Sequence, residues 1–131
     1  MSDKSSSMRT DISRVRHLGS AHSGTQHAWT MRVTAAALVP LALLFVWLVI
    51  SMVGRDYESV LSLFGGRVFP GAIALLFVLT ACYHMKNGMQ TIIEDYVHDR
   101  HLKEWSILAN ILFCGLVAAT TGLAIIKLSL G

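Results

Sequence analysis

A histidine lies deep within a long apolar stretch, and the residues that follow it at helical spacing could bind a ligand and carry protons. His84 belongs to a run of mainly apolar residues that begins near Pro70. Gly88 and Thr91 lie within about 40° of His84 around a helix axis, one on each side. Asp95 returns to the same face about 16 Å further along the axis. We call His84, Gly88, Thr91 and Asp95 the stripe.

An imidazole within a bilayer must find a partner, because lipid offers no hydrogen bonds. One interpretation is a histidine that is hydrogen-bonded to a neighbouring helix. The other is an axial ligand of haem iron held inside a helix bundle. Gly88 would leave room for a planar cofactor or permit close helix packing, and both possibilities stay open. No other histidine lies at this depth, so a second haem ligand would have to come from another polypeptide.

Composition indicates which elements position these residues. The chain has 131 residues, of which 53% are hydrophobic and 15% charged, and its mean hydropathy is +0.55. This excludes an ordinary soluble domain and leaves no room for an extramembrane catalytic domain. The sequence predicts an all-α integral membrane protein with three transmembrane helices, part of a heteromeric helix bundle. Its predicted parts are a polar tail over residues 1–28 and an anchor over 29–131, with spans at 31–53, 68–93 and 105–128.

Proline and glycine set the expected helix boundaries. Pro40 should kink the first helix, and Gly54 should end it. The sequence then predicts a loop over residues 55–67, with a turn at Gly65–Gly66. Pro70 suits the first turn of the second helix, which should continue through the mixed polar segment after His84.

The last third of the chain begins with a predicted charged loop over residues 97–104. His98 and His101 in this loop are spaced i, i+3, but two histidines without a third ligand fall short of a zinc site. A solvated loop explains them. In the third span, Gly115 and Gly122 are small residues that would permit close helix contact.

Lysine and arginine predict the orientation of the spans. Seven lie in the tail, at the start of the first span or in the second loop, whereas three fall on the other side. The seven are Lys4, Arg9, Arg14, Arg16, Arg32, Arg100 and Lys103, and the three are Arg55, Arg67 and Lys127. The amino terminus should therefore face the cytoplasm of a bacterial inner membrane, or the matrix if the chain is mitochondrial. Topology explains the basic excess better than nucleic-acid binding does.

The segment from His84 to Tyr96 fits the pattern H-x3-G-x6-D-Y and resembles a known family. This pattern is similar to that of the second helix of the hydrophobic membrane anchor of succinate dehydrogenase, which is complex II. The three-span layout agrees, as does the W-x-x-R-x-T-A segment from Trp29 to Ala35. The stretch from Gly19 to Thr25 resembles alphaproteobacterial members.

This resemblance implies a role for four residues. His84 would be one axial ligand of haem b, shared with a histidine of the other anchor, which is of the cytochrome b556 type. Tyr96 would donate a hydrogen bond to a ubiquinone carbonyl, and Asp95 would tune that site or supply it with protons. Arg32 is a candidate partner for a haem propionate. The resemblance also implies two further partners, an iron–sulfur subunit together with a flavoprotein subunit, which carries the succinate-oxidising site.

Two other functions are weighed against this electron-transfer role. The chain could be a structural anchor without a redox ligand, in which the stripe only packs against other helices. It could also be a small transporter subunit in which His84 relays protons. The first and third spans carry no matching polar stripe, which disfavours the transporter.

Overall fold

Four α-helices make up the part of the chain that the structure describes. This computed structural model describes residues 23–130. The helices are α1 (Ser23–Met52), α2 (Tyr57–Phe64), α3 (Val68–Tyr96) and α4 (Arg100–Leu130). Between residues 23 and 130 there is no strand, and α1, α3 and α4 are each long and apolar enough to cross a membrane. The predicted all-α membrane fold is confirmed.

Helix α1 begins earlier than the composition indicates. Residues 1–22 of the predicted tail, with four of the basic residues used for the orientation, lie outside the described residues. Residues 23–28 form the first turns of α1. The Thr30 hydroxyl donates to the Gln26 carbonyl at 2.8 Å, and His27 contacts Thr91 of α3. The second contact ties the first turns of α1 to α3 and gives the helix a partner before the apolar run begins.

The predicted end of α1 at Gly54 is confirmed. Pro40 lies inside α1, which is one helix through Met52. Gly54 follows with a φ of 78°, a left-handed conformation that glycine adopts without steric cost.

The predicted loop over residues 55–67 is wrong in its middle, where α2 lies. The signal that the sequence reasoning missed is the spacing of Val60 and Phe64, which places both on one face of a helix. Phe64 is buried, and Val60 packs against the same core. The predicted turn after α2 is confirmed, because Gly66 has a φ of 70°.

The boundaries of α3 match the prediction more closely than the start of α4 does. Pro70 lies in the first turn of α3, and the helix continues through the mixed polar segment to Tyr96. The charged loop predicted over 97–104 is shorter, because α4 begins at Arg100. The Asp99 carboxylate accepts the Leu102 backbone N–H at 2.7 Å, which satisfies a free donor of the first turn.

Helix α3 is the central helix, with α1 and α4 both packed against it. Leu48 of α1, Phe64 of α2 and Ala74 of α3 form a buried apolar cluster. The side chains packed against it are Phe45, Met52, Val60, Leu63, Ile125 and Leu128. Next to it, the rings of Phe45 and Phe77 stack with centroids 4.4 Å apart.

Small residues let α4 approach α3 closely, as predicted for one of the two glycines named for this role. Gly122 is buried, and a Cβ there would lie 3.6 Å from Leu75. Gly115 is exposed and has open space beside it, so it does not serve this contact. Gly71 does so from the α3 side, because a Cβ at this position would collide with the Ser129 side chain.

Candidate functional site

The stripe on α3 faces α1. Three of its residues contact three successive turns of α1, in the pairs His84–Thr34, Gly88–Met31 and Thr91–His27. A Cβ at Gly88 would lie 3.5 Å from the Met31 methyl carbon, an ordinary van der Waals contact. Gly88 thus lies within the packing of α1 against α3, and its role beside a planar cofactor stays a prediction. These three residues therefore lie against α1, with His84 and Gly88 half-buried and Thr91 exposed.

His84 is half-buried and makes its hydrogen bond through one ring nitrogen. Its Nδ1 lies 2.8 Å from the Thr34 hydroxyl oxygen. That hydroxyl also lies 2.8 Å from the Thr30 carbonyl oxygen and 3.2 Å from the Met31 carbonyl oxygen. Within residues 23–130, Nε2 of His84 has no hydrogen-bond partner.

The geometry around Thr34 favours one tautomer of His84. A hydroxyl has a single proton, and here two backbone carbonyls are placed to receive it. When one of them does, the hydroxyl oxygen accepts a hydrogen bond from Nδ1–H of His84. The neutral imidazole consequently carries its lone pair on Nε2, the form in which histidine binds a metal.

A second histidine, which the sequence reasoning left in the tail, lies on the same interface. Nε2 of His27 lies 3.1 Å from the Thr91 hydroxyl oxygen. That hydroxyl donates to the Asn87 carbonyl at 3.2 Å. The Thr91–His27 pair thus repeats the Thr34–His84 arrangement with the helices exchanged: the threonine is now on α3 and the histidine on α1.

A small polar cavity of about 240 Å³ flanks this interface between α1 and α3. Its lining residues are Gln26, His27, Thr30, Tyr83 and Asn87. Asn87 is only 4% exposed and is the buried polar residue of the described chain. The polar character of this end of the bundle therefore extends beyond the stripe.

Helix α4 holds α3 from the opposite side, close to His84. The Asn110 amide donates to the Lys86 carbonyl at 2.9 Å. Cys114 donates to the Asn110 amide oxygen at 3.5 Å. On α3 itself, the Lys86 ammonium lies 5.4 Å from the centre of the Tyr83 ring. The segment that carries His84 is thus hydrogen-bonded to both neighbouring helices.

Asp95 and Tyr96 lie at the end of α3, away from His84. Both are exposed, and the Tyr96 side chain is 78% exposed. Its backbone carbonyl lies 3.0 Å from Nδ1 of His98, whereas its phenol has no hydrogen-bond partner among the described residues. The structure therefore leaves both side chains free to contact a ligand or another polypeptide at this end of the bundle.

Arg32 does not join this arrangement within the chain. It is exposed on α1 and lies two residues before Thr34, so the two side chains are about 160° apart around the helix. Its predicted role at a haem propionate stays a prediction. His98 and His101 are exposed, and no group of three potential metal ligands occurs in the described part of the chain.

Sequence reasoning identified the histidine but missed the residues that hold it. His27, Thr30 and Thr34 recur on α1 at intervals of three and four, the same periodicity as the stripe. Polar residues with this spacing at the start of an apolar helix were a usable signal for an interface with the polar face of α3. Asn110 is the one asparagine of its span, and the residues around it show no comparable polar spacing.

Comparison with known proteins identifies the family. Residues 6–123 match the family described as Succinate dehydrogenase/Fumarate reductase transmembrane subunit. The chain is 39% identical over 114 residues to a Paracoccus denitrificans protein named succinate dehydrogenase hydrophobic membrane anchor subunit, and the match covers 87% of each chain.

Two other relatives agree. A Rickettsia bellii protein of the same name is 32% identical over 105 residues, which cover 80% of this chain and 83% of the relative. The succinate dehydrogenase membrane anchor subunit of Reclinomonas americana is 29% identical over 96 residues, 72% of this chain and 80% of that one. No solved structure matches the chain significantly. With its apolar helices and bacterial relatives, the chain belongs to the succinate dehydrogenase/fumarate reductase transmembrane subunits, as a hydrophobic membrane anchor of the alphaproteobacterial type.

Proposed function

We propose that this anchor subunit supplies His84 as one axial ligand of haem b, and Asp95 and Tyr96 to a ubiquinone site. The observation that carries the first part is the hydrogen bonding of His84. Its Nδ1 is held by Thr34, and its Nε2 has no partner in the described chain. Most metal-binding histidines in proteins are held in this way.

The donor set of the chain fits half of a haem site. His84 would supply one axial ligand of the iron through Nε2, which has no hydrogen-bond partner in the described chain. The second ligand would come from the partner anchor of the cytochrome b type. Haem bound at His84 would supply one-electron transfer within the membrane.

The same chain would contact the other subunits at its polar end. We place the amino terminus and the α3–α4 connection on the cytoplasmic side of a bacterial inner membrane, because the basic residues concentrate there. The iron–sulfur and flavoprotein subunits would lie on that side, and the flavoprotein would oxidise succinate. The exposed ends of α1 and α3 would then lie closest to the electron donor.

Asp95 and Tyr96 have side chains suited to quinone chemistry. Reduction of a quinone takes up two protons, so its site must reach water. Tyr96 would donate its phenolic hydrogen bond to a quinone carbonyl, and Asp95 would tune that site or supply it with protons. Their exposure at the end of an apolar helix supports this part of the proposal.

A structural anchor without a redox ligand is the second candidate. The packing of α1 over Gly88 and Thr91 favours it, because these contacts give the stripe a role without a cofactor. The half-buried His84 and its unpartnered Nε2 favour the first candidate. Haem absorbance in the purified complex separates the two.

Replacing His84 tests the ligand assignment. In the complete complex purified in detergent, His84→Ala should abolish or alter the reduced-minus-oxidised haem spectrum, because an axial ligand is lost. His98→Ala removes an exposed histidine and should leave the spectrum unchanged. A normal spectrum in the His84→Ala complex would reject the assignment.

Replacing Tyr96 tests the quinone site separately. Tyr96→Phe should lower ubiquinone reductase activity about two- to tenfold, the value of one hydrogen bond, while succinate oxidation with an artificial acceptor stays intact. Tyr57→Phe is the matched control, because Tyr57 is an exposed tyrosine at the opposite end of the bundle. Equal loss of both activities in Tyr96→Phe would indicate damage to assembly and contradict the quinone role.

A further inference from the structure

We infer that Thr34 is the positioning residue for His84: it selects the ring nitrogen that is free to bind iron and fixes the plane of the imidazole. The inference rests on the proposed haem ligation. It assigns to a residue of α1 a function that it would perform through His84.

The first step is the count of protons around the Thr34 hydroxyl. Carbonyl oxygens at 2.8 and 3.2 Å can only accept, so they draw the hydroxyl proton towards the backbone of α1. In that arrangement the hydroxyl oxygen accepts from Nδ1–H, which lies 2.8 Å away. An imidazole protonated at Nε2 would instead require the Thr34 hydroxyl to turn its proton away from these carbonyls and towards Nδ1. Thr34 thus disfavours the tautomer that cannot bind iron through Nε2.

The second step concerns rigidity. The Thr34 oxygen is anchored to its own helix by the two backbone contacts. An acceptor that cannot move fixes the direction of the Nδ1–H bond and hence the orientation of the ring. Second partners of this kind are important for metal affinity, and their loss typically weakens binding about 10- to 100-fold.

The third step is the electronic effect on the iron. A hydrogen bond from Nδ1–H to an acceptor makes the imidazole a more basic ligand, which stabilises the oxidised metal more than the reduced metal. Loss of the Thr34 oxygen should therefore raise the midpoint potential of the haem. If Thr34 only filled space between the helices, removing its hydroxyl would not shift this potential.

The Thr91–His27 pair provides a matched control. It is the same kind of hydrogen bond, between the same two helices, but its histidine is not the proposed ligand. Thr91→Val removes this interhelical bond and leaves the contact between Thr34 and His84 in place. It measures the effect of a weakened α1–α3 interface alone.

The experiment compares four variants in the complete, detergent-purified complex: Thr34→Val, Thr34→Ala, Thr34→Ser and Thr91→Val. The readouts are haem bound per complex, the midpoint potential from a redox titration, and the low-temperature electron paramagnetic resonance signal of the oxidised haem. Thr34→Val and Thr34→Ala should lose haem more readily during purification, shift the potential upwards and alter the resonance signal. Thr34→Ser retains the hydroxyl and should resemble the native protein. Thr91→Val should also resemble it.

The result that would overturn the inference is a native potential and native haem content in either hydroxyl-free variant of Thr34. An equal shift in Thr34→Ser or in Thr91→Val would also overturn it, because the hydroxyl at this position would then not be responsible. If His84→Ala abolishes the haem spectrum while Thr34→Val is native, the ligand assignment stands and only the role of Thr34 falls. If His84→Ala leaves the spectrum native, the proposed function itself fails.

Discussion

The two ends of this helix bundle are held together by different forces. At the polar end, which comprises α1 up to Thr34 and α3 from His84 onwards, threonine and histidine side chains hydrogen-bond across the interface. At the apolar end, which comprises α1 from Phe45, α2 and α3 up to Phe77, the contacts are apolar side chains and a stacked ring pair.

This difference indicates how stability and chemistry are divided along the same helices. Lipid tails are as apolar as leucine, so helices in a bilayer associate through close packing and interhelical hydrogen bonds rather than through burial from water. Packing tolerates exchange between apolar residues of similar volume. A hydrogen bond instead requires one donor and one acceptor in a fixed register. The polar end therefore specifies the position of His84, while the apolar end supplies stability without specifying a site.

The largest effect on stability is expected from Leu48→Ala at the apolar end. Leu48 is 3% exposed at the centre of the apolar cluster, and its truncation would leave a cavity that α2 and α3 cannot fill. Substitutions of this kind cost about 2–5 kcal/mol. The measurement is the thermal-unfolding midpoint of the anchor within the purified complex, which should fall.

The control for that prediction is Leu43→Ala on the same helix. Leu43 is 70% exposed, so its truncation leaves no internal cavity and should have little effect. If both variants lowered the midpoint equally, the apolar cluster would not be the main source of stability at this end. The haem spectrum should be retained in both, because neither residue lies near His84.

A smaller effect is expected from Asn110→Ala at the polar end. This substitution removes the bond to the Lys86 carbonyl, and interhelical hydrogen bonds of this type contribute about 0.6 kcal/mol on average and at most about 1.7 kcal/mol. The loss is modest because a carbonyl within a helix keeps its backbone partner. The thermal midpoint should therefore fall less than in Leu48→Ala.

Thr120→Val is the control for Asn110. The Thr120 hydroxyl bonds only to carbonyls of its own helix, at 2.8 and 3.3 Å, and its side chain is exposed. Its replacement should leave the midpoint unchanged. A fall in Asn110→Ala as large as that in Leu48→Ala would contradict the division between the two ends.

The long helices could be predicted from the sequence, but their first turns and the short helix could not. Apolar blocks of bilayer length determine α1, α3 and α4, and Gly54 determines a helix end through its own backbone preference. By contrast, the start of α1 depends on contacts with α3, and α2 depends on the burial of Phe64 against two other helices. Contacts between residues far apart in the sequence do not appear in local composition.

The candidate site shows the same division. Spacing along α3 correctly placed His84, Gly88 and Thr91 on one face, because helical geometry alone decides this. It could not show that α1 covers this face, so the partnership of His84 with Thr34 was missed. A residue's own helix fixes its direction, whereas its partner is fixed by how two helices pack.

The smallest effect is expected outside the spans, at the start of α2. The Ser59 hydroxyl donates to the Asp56 carboxylate, and this bond, together with backbone N–H groups at the helix start, holds the pKa of Asp56 below its ordinary value of 3.8. Since the folded-state pKa is the lower one, this contribution to stability is present above the ordinary pKa and is lost as the pH falls through the folded value. Ser59→Ala should therefore raise the pKa of Asp56 towards 3.8, as measured by carboxyl NMR titration of the complex in detergent.

Ser62→Ala is the control, because that hydroxyl donates only to the Ser59 carbonyl and should leave the titration unchanged. If the pKa of Asp56 were unaltered in Ser59→Ala, the backbone N–H groups alone would lower it. The Ser59 side chain would then contribute nothing to the pKa at this exposed turn.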